Sequence, residues 1–237
     1  MITAAKITNC GGRAQNEDTV RIEQSNQGIC VVVADGLGGH GGGQIASQTA
    51  AEALIARYNK GELETPEQIK EGFRDADRKV KEKQDKTCAM KTTAVLLLAD
   101  KSSARWAHVG DSRLYHFQQK KLVKQTMDHS VSQVAVLMGE ITQDQIRFHE
   151  DRNRVLRALG SDSMEPEVAK EISLAGTFNA FLLCTDGFWE YVYEKEMEQC
   201  LESARSPEEW LKSMEKLLSE RVADDNDNYT AAAIFCQ

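Results

Sequence analysis

Four places in the chain set an acid at or just beyond the end of an apolar stretch, or in a turn beside one: Glu17-Asp18, Asp35-Gly36, Asp186-Gly187 and Asp227-Asn228. A carboxylate at the end of a buried strand is driven to take up a proton unless a metal, an Arg or a set of backbone N–H groups meets it. Carboxylates gathered from remote parts of a chain are the hard oxygen ligands that Mg²⁺ and Mn²⁺ favour, and no Cys or imidazole set suited to zinc accompanies them. His108, His116, His129 and His149 are scattered along the sequence. Taken singly, each acid also reads as an ordinary strand end or helix cap.

Asp35 is the sharpest case. Val31-Val32-Val33-Ala34 reads as a strand buried on both faces, and it delivers Asp35 into a run holding six glycines over 36–43. Glycine lets backbone atoms approach an ion or a phosphate closely. The run is not a Walker loop, because no Lys-Ser or Lys-Thr follows it, and no βαβ alternation supports a dinucleotide fingerprint. The segment 224–229 imitates a calcium loop but holds Tyr229 where the sixth position needs Gly and Phe235 where the twelfth needs Glu. A cysteine-phosphatase loop needs Arg six positions after its Cys; Asn16, Gly36, Ala94, Glu190 and Ser206 stand there instead.

The elements that must position these acids follow from periodicity. Strands are expected at about 3–8, 19–23 and 29–34, then an amphipathic helix to about Tyr58 with Ile45, Thr49, Ala53, Leu54 and Arg57 on one stripe. Thr65-Pro66-Glu67-Gln68 supplies an N-cap, a Pro in the first turn and a capping Gln, so a second helix carries Ile69, Phe73, Ala76 and Val80 inward. Closely spaced strands at 92–98, 104–109, 114–117 and 122–125 pair as hairpins, and 130–153 is irregular and helical. Strands at 168–173 and 179–184, a helix from Ser206-Pro207 and a closing strand 229–236 complete the chain. This order predicts an α+β domain, antiparallel sheets covered by helices.

A length of 237 residues suits a single domain, 1–237. The formal net charge of −8 disfavours nucleic acid as a partner. No apolar run is long enough for a membrane helix, residues 1–6 lack a signal peptide's apolar core, and the six cysteines form no C-x-x-C pair. Reduced core thiols and a cytoplasmic location are therefore expected, with no membrane partner.

Six ordered motifs then carry a family resemblance: Arg13-Ala14-Gln15-Asn16-Glu17-Asp18, Asp35-Gly36-Leu37-Gly38-Gly39-His40, Gly110-Asp111-Ser112-Arg113, Arg157-Ala158-Leu159-Gly160, Cys184-Thr185-Asp186-Gly187 and Asp227-Asn228-Tyr229-Thr230. In order and spacing the chain resembles the metal-dependent protein serine/threonine phosphatases of type 2C, most closely their compact bacterial branch. The resemblance implies a four-layer α/β/β/α sandwich, two central antiparallel sheets flanked by helices, with a flap at about 130–153 beside the site. It implies two Mn²⁺ or Mg²⁺ ions bridged by Asp35 and completed by Asp186, Asp227 and the Gly36 carbonyl. Glu17 and Asp18 would act directly or through water, and Asp186 with Asp128 would hold a third, weaker ion.

Arg13 matches the residue that grips the substrate phosphate, as a planar bidentate donor would. The implied reaction is direct attack on phosphoserine or phosphothreonine by a hydroxide shared between the two ions, with His40 or a metal-bound water returning the proton. Asp111 and Arg113 read as fixing a strand-to-strand turn, and Asn16 and Asn228 as orienting neighbouring acids. Phosphorylated proteins and a serine/threonine kinase are the implied partners of a monomer. The alternatives are a pseudophosphatase that uses the same sandwich as a metal-stabilised scaffold, and a phosphatase of small phosphate esters.

Overall fold

The computed structural model describes residues 1–26, 28–38, 42–85 and 89–237. In chain order the elements are β1 (Ile2–Asn9), β2 (Thr19–Gln24), β3 (Ile29–Ala34), β4 (Gly36–Leu37), α1 (Gly42–Tyr58) and α2 (Pro66–Glu82). The central strands are β5 (Lys91–Thr92), β6 (Ala94–Ala99), β7 (Ser103–Val109), β8 (Arg113–Gln118) and β9 (Lys121–Gln125). After them come α3 (Val131–Leu137), a 3-10 helix (Gln143–Phe148), β10 (Glu167–Val168), β11 (Ile172–Ser173) and β12 (Asn179–Cys184). The chain closes with α4 (Asp186–Trp189), α5 (Glu194–Ser203), α6 (Pro207–Ser219) and β13 (Tyr229–Cys236).

Two large antiparallel sheets result, one ordered β1-β13-β12-β8-β9 and the other β10-β7-β6-β3-β2, with β11 also on β7, and β4 pairs with β5 apart from both. Side chains alternate across each strand, which divides the apolar residues into three layers. Val31, Val33, Val95 and Leu97 of one sheet meet Leu114, Phe181, Leu183 and Ile234 of the other. On the outer faces, Cys30, Val32 and Leu96 pack under α1 and α2, while Tyr115, Phe117, Leu182 and Ala233 pack under α5 and α6. Strand β3 is buried along its whole length because it lies between a helical layer and the second sheet. The four-layer α/β/β/α sandwich is thus observed.

Two helix starts are those written in the chain. Thr65 accepts from the Gln68 amide and the Gln68 side chain accepts from the Thr65 amide, closing a capping box on α2. Ser206 caps α6 with Pro207 in its first turn. In α1 the inward stripe differs from expectation: Ala46, Ala50 and Leu54 are buried, whereas Ile45 is 45% exposed. The expected strand 168–173 is two short pieces, both paired to β7. Helices α4 and α5 were not expected, since one turn shows no periodicity and α5 buries only Met197 and Leu201.

Candidate metal centre

Strand register gathers the acids at one end of the sandwich. Thr19 pairs with Ala34, so Asp18 and Asp35 leave neighbouring strands side by side. Cys184 pairs with Ala231, which brings Asp186, two residues past β12, level with the chain entering β13 from Asp227. The two sheets are tied here by the Thr185 hydroxyl, which donates to Asp18 Oδ2 at 2.8 Å. The Asp35 and Asp186 carboxyl groups lie within hydrogen-bond reach of each other. A cavity of about 720 Å³ opens on this end, lined by Arg13, Glu17, Asp35, Gly36, Asp111, Asp186 and Asp227 among others.

The backbone around Asp35 is clasped by two residues whose role the motifs did not announce. The Asp35 amide donates to Thr93 Oγ1 at 2.9 Å, and the Asp35 carbonyl accepts from the Thr93 amide and the Thr92 hydroxyl. A side chain at Gly36 would begin 2.2 Å from the Gly43 carbonyl oxygen, so only glycine passes between Asp35 and α1. Asn228 and Asn16 do what the sequence suggested: the Asn228 side chain accepts from the Glu17 amide and donates to the Cys10 and Gln15 carbonyls, and Asn16 accepts from the Asp18 amide.

Burial first, and then the neighbouring acids, push several of these carboxyls up. Asp35 lies well above the ordinary carboxylate range, with Asp186, Asp18 and Asp111 adding to the effect of burial. Asp111 is raised well above it by burial and Asp186, Asp186 by burial and Asp227, and Glu17 by burial against a backbone bond from Gly43. Asp35 and Asp186 each act on the other's ionisation, so the pair is held towards its protonated form when no cation is bound. Arg13 is the one cation lining the cavity among the described residues, and it is already paired to Asp227 at 3.2 Å. Hard oxygen donors carrying this much unbalanced negative charge fit divalent cations of the Mg²⁺ or Mn²⁺ type.

A stability prediction follows from Asp18, whose pKa burial raises from 3.8 to about 7 against the bonds from Thr185 and Thr230. For a raised acid the unfolded chain ionises first, so its stabilising contribution is present below pH 3.8 and is lost as pH climbs towards about 7. In EDTA, melting temperature should therefore fall between pH 5 and about 7, and Mn²⁺ should remove most of that fall. A cation-free melting temperature that rises over this window would contradict the assignment.

The expected residues do not all converge. Asp128 is taken up by Arg113, whose Nε and Nη2 donate to its two oxygens at 2.8 and 2.7 Å in a pair 1% exposed on each side. Both oxygens of the carboxylate are thereby engaged by Arg113, and Asp128 is not among the residues that line the cavity. Asp111, read from the sequence as fixing a turn, does line it, and Asp186 acts on its carboxyl. Position in a tight turn between β7 and β8 is the signal that would have identified it. His40 lies outside the described residues.

The histidines are also less scattered than the sequence suggested. His108 and His129 stack at 4.6 Å with rings 7° apart, and a Glu167 oxygen comes within 4.8 Å of both. His108 Nε2 meets the Met127 carbonyl and must donate, while His129 Nδ1 accepts from the Gly110 amide, which leaves the ring proton on Nε2. Parallel rings with these tautomers cannot turn two lone pairs onto one ion. Burial, and then His108, push His129 down to about 3, so the stack stays neutral.

The sandwich with carboxylates crowded at one end is that of a metal-dependent phosphatase. A family model described as Protein phosphatase 2C matches residues 11–226, and the chain belongs to that family of serine/threonine phosphatases. It is 36% identical over 204 residues to the serine/threonine phosphatase stp of Listeria welshimeri, covering 82% of this chain and 80% of that one. The crystal structure of the serine/threonine phosphatase PstP of Mycobacterium tuberculosis shares its fold with a TM-score of 0.84 at 26% identity, over 100% of this chain and 99% of that one. A structure of the catalytic domain of PstP in complex with two manganese ions has the same fold, with a TM-score of 0.79 at 24% identity over 100% and 99% of the two chains.

Proposed function

We propose that this phosphatase removes phosphate from phosphoserine and phosphothreonine of proteins, with two Mn²⁺ or Mg²⁺ ions held by Asp35, Asp186, Asp227 and the Gly36 carbonyl. Asp18 and Glu17 support them from the adjoining strand end. The observation that carries the reading is the gathering of Asp35, Asp111, Asp186 and Asp227 about one cavity that Arg13 also lines, with the buried Asp18 acting on Asp35 from beside it. A third ion falls to Asp111 and Asp186, since Arg113 occupies Asp128. When bound, the cations would neutralise the phosphoryl oxygens and lower the pKa of a water between them.

The chain's own residues supply the rest. Arg13 is more than half exposed and presents a planar fork to a phosphoryl group, with Asp227 holding its other side. The departing alkoxide needs a proton, and His40 is the residue proposed to provide it. Substrates would be phosphorylated proteins and the opposing activity a serine/threonine kinase, encountered by a monomer in the cytoplasm. The described cysteines Cys10, Cys30, Cys184, Cys200 and Cys236 are all free thiols, which suits a reducing compartment. In the described residues no helix is long and apolar enough to cross a membrane.

The pseudophosphatase reading has no support, since the acids whose loss would silence the site are all in place. The test is hydrolysis of a phosphothreonine peptide and of p-nitrophenyl phosphate by the purified protein in Mn²⁺ and in EDTA. Turnover of both that disappears in EDTA is the expected result. Inertness towards both substrates in Mn²⁺ would overturn the proposal, and a strong preference for small esters over the peptide would move it to metabolite chemistry.

A further inference from the structure

Asp111 reaches the carboxylate cluster on a tight turn, Gly110-Asp111-Ser112, between the ends of β7 and β8. The turn is held from three sides. Gly110 is clasped by His129, whose amide donates to the Gly110 carbonyl at 2.9 Å and whose Nδ1 accepts from the Gly110 amide at 3.2 Å. Ser112 shares a hydrogen bond of 2.6 Å with Thr93. The carbonyl of Asp111 itself lies between the two strands, and its partner is the indole N–H of Trp189, at 3.0 Å.

Trp189 stands three residues after Asp186 in the one-turn helix α4, so the helix that presents one acid also carries the donor that fixes the backbone of the other. The indole is 1% exposed and cannot exchange this partner for water. Its ring is held in turn by Arg113, whose guanidinium carbon lies 3.4 Å from the ring centroid and whose nitrogens are fixed by Asp128 and Tyr115. Arg147, from the 3-10 helix of the flap, lies 5.6 Å from the same ring and donates to Glu194. The indole therefore touches the turn of Asp111, the buried ion pair and the flap.

We infer that Trp189 is a positioning residue that sets the spacing of Asp111 and Asp186 in the cation site, acting through the Asp111 carbonyl. The inference rests on the proposed binding of divalent cations by these acids. A tryptophan that merely filled the core would alter stability and leave cation affinity alone.

The variant Trp189→Phe keeps an aromatic ring for Arg113 and removes the N–H. Calorimetric titration with Mn²⁺ should show at least one binding step weakened tenfold or more. In an Asp111→Asn background the same substitution should have no further effect on that step, because the residue it acts through is already disabled. An Mn²⁺ isotherm for Trp189→Phe that matches wild type, with only the melting temperature lowered, would overturn the inference, as would a weakening that persists undiminished in Asp111→Asn. A wild-type protein that binds no Mn²⁺ would overturn the cation reading itself and this inference with it. A second measurement needs no change at position 189: one of the three indole N–H resonances of the wild-type protein should shift on titration with diamagnetic Mg²⁺ and stay fixed in Asp111→Asn. Three resonances that do not move as Mg²⁺ saturates the wild type would refute it independently.

Discussion

Replacing Asp35 by Asn is expected to lower kcat/KM on a phosphothreonine peptide by more than about 100-fold and, at the same time, to raise the melting temperature of the cation-free protein. The activity loss follows from position. Residues that only support a metal ligand cost about 10–100-fold when removed, and Asp35 is proposed as the ligand shared by both ions, so its loss should exceed that range. The stability gain follows from charge. Burial and the acids at 186, 18, 111 and 227 oppose ionisation of Asp35, and an amide removes that opposition while still able to donate a hydrogen bond to Asp186. An Asp35→Asn protein that kept full activity would sink the site assignment, and one that melted well below wild type in EDTA would show that Asp35 has a stabilising partner of another kind. The opposed signs are those of a site that trades folding stability for function.

The second large effect concerns Asp128 and is of the opposite kind. In Asp128→Asn the Arg113 guanidinium, 1% exposed, loses the anion that neutralises it and keeps an amide oxygen at 128, Tyr115 at 3.1 Å, Glu194 at 3.8 Å and the Trp189 ring. Breaking a buried ion pair from one side costs about 3–5 kcal/mol, because the remaining charge stays where water cannot reach it. For a chain of this size that corresponds to a drop in melting temperature of about 6–20 °C. Glu194 offers partial compensation and favours the lower end. Affinity for Mn²⁺, titrated well below the melting temperature, should be unchanged within about threefold, since the loss acts on folding. The reverse pattern, a small stability change with a lost Mn²⁺ step, would restore Asp128 to the cation site and remove Arg113 as its owner. Thermal melts in EDTA beside calorimetry separate the two readings in a single pair of experiments.

The two predictions mark where local pattern stopped being informative. Apolar alternation and turn residues place nearly every strand, and Thr65-x-x-Gln68 and Ser206-Pro207 place two helix starts, because those signals are confined to a few consecutive residues. Helix α5, whose inward face holds two buried residues, and α4, a single turn, carry too little pattern to be read. The acids at 18, 35, 186 and 227 are legible since each follows or precedes an apolar strand by one or two residues. Asp111 and Asp128 could not be sorted in that way. Asp111 stands in the turn before β8 and Asp128 in the irregular segment after β9, and which one faces Asp186 and which one faces Arg113 depends on contacts formed across 15 residues or more. The stacked His108 and His129 were misjudged for the same reason, being neighbours only through the turn at Gly110.

By itself the sequence determined an α+β order of antiparallel strands and helices, the ends of most strands and the set of oxygen donors available to a hard cation, because periodicity and residue chemistry are properties of short stretches; the four-layer sandwich was implied by the family resemblance. The tertiary structure alone decided which acids share a site, which is neutralised by a buried arginine, and which side chains hold the turn of Asp111. Those outcomes are set by strand register and by the competition of fixed charges for the same partners in a medium that screens them poorly.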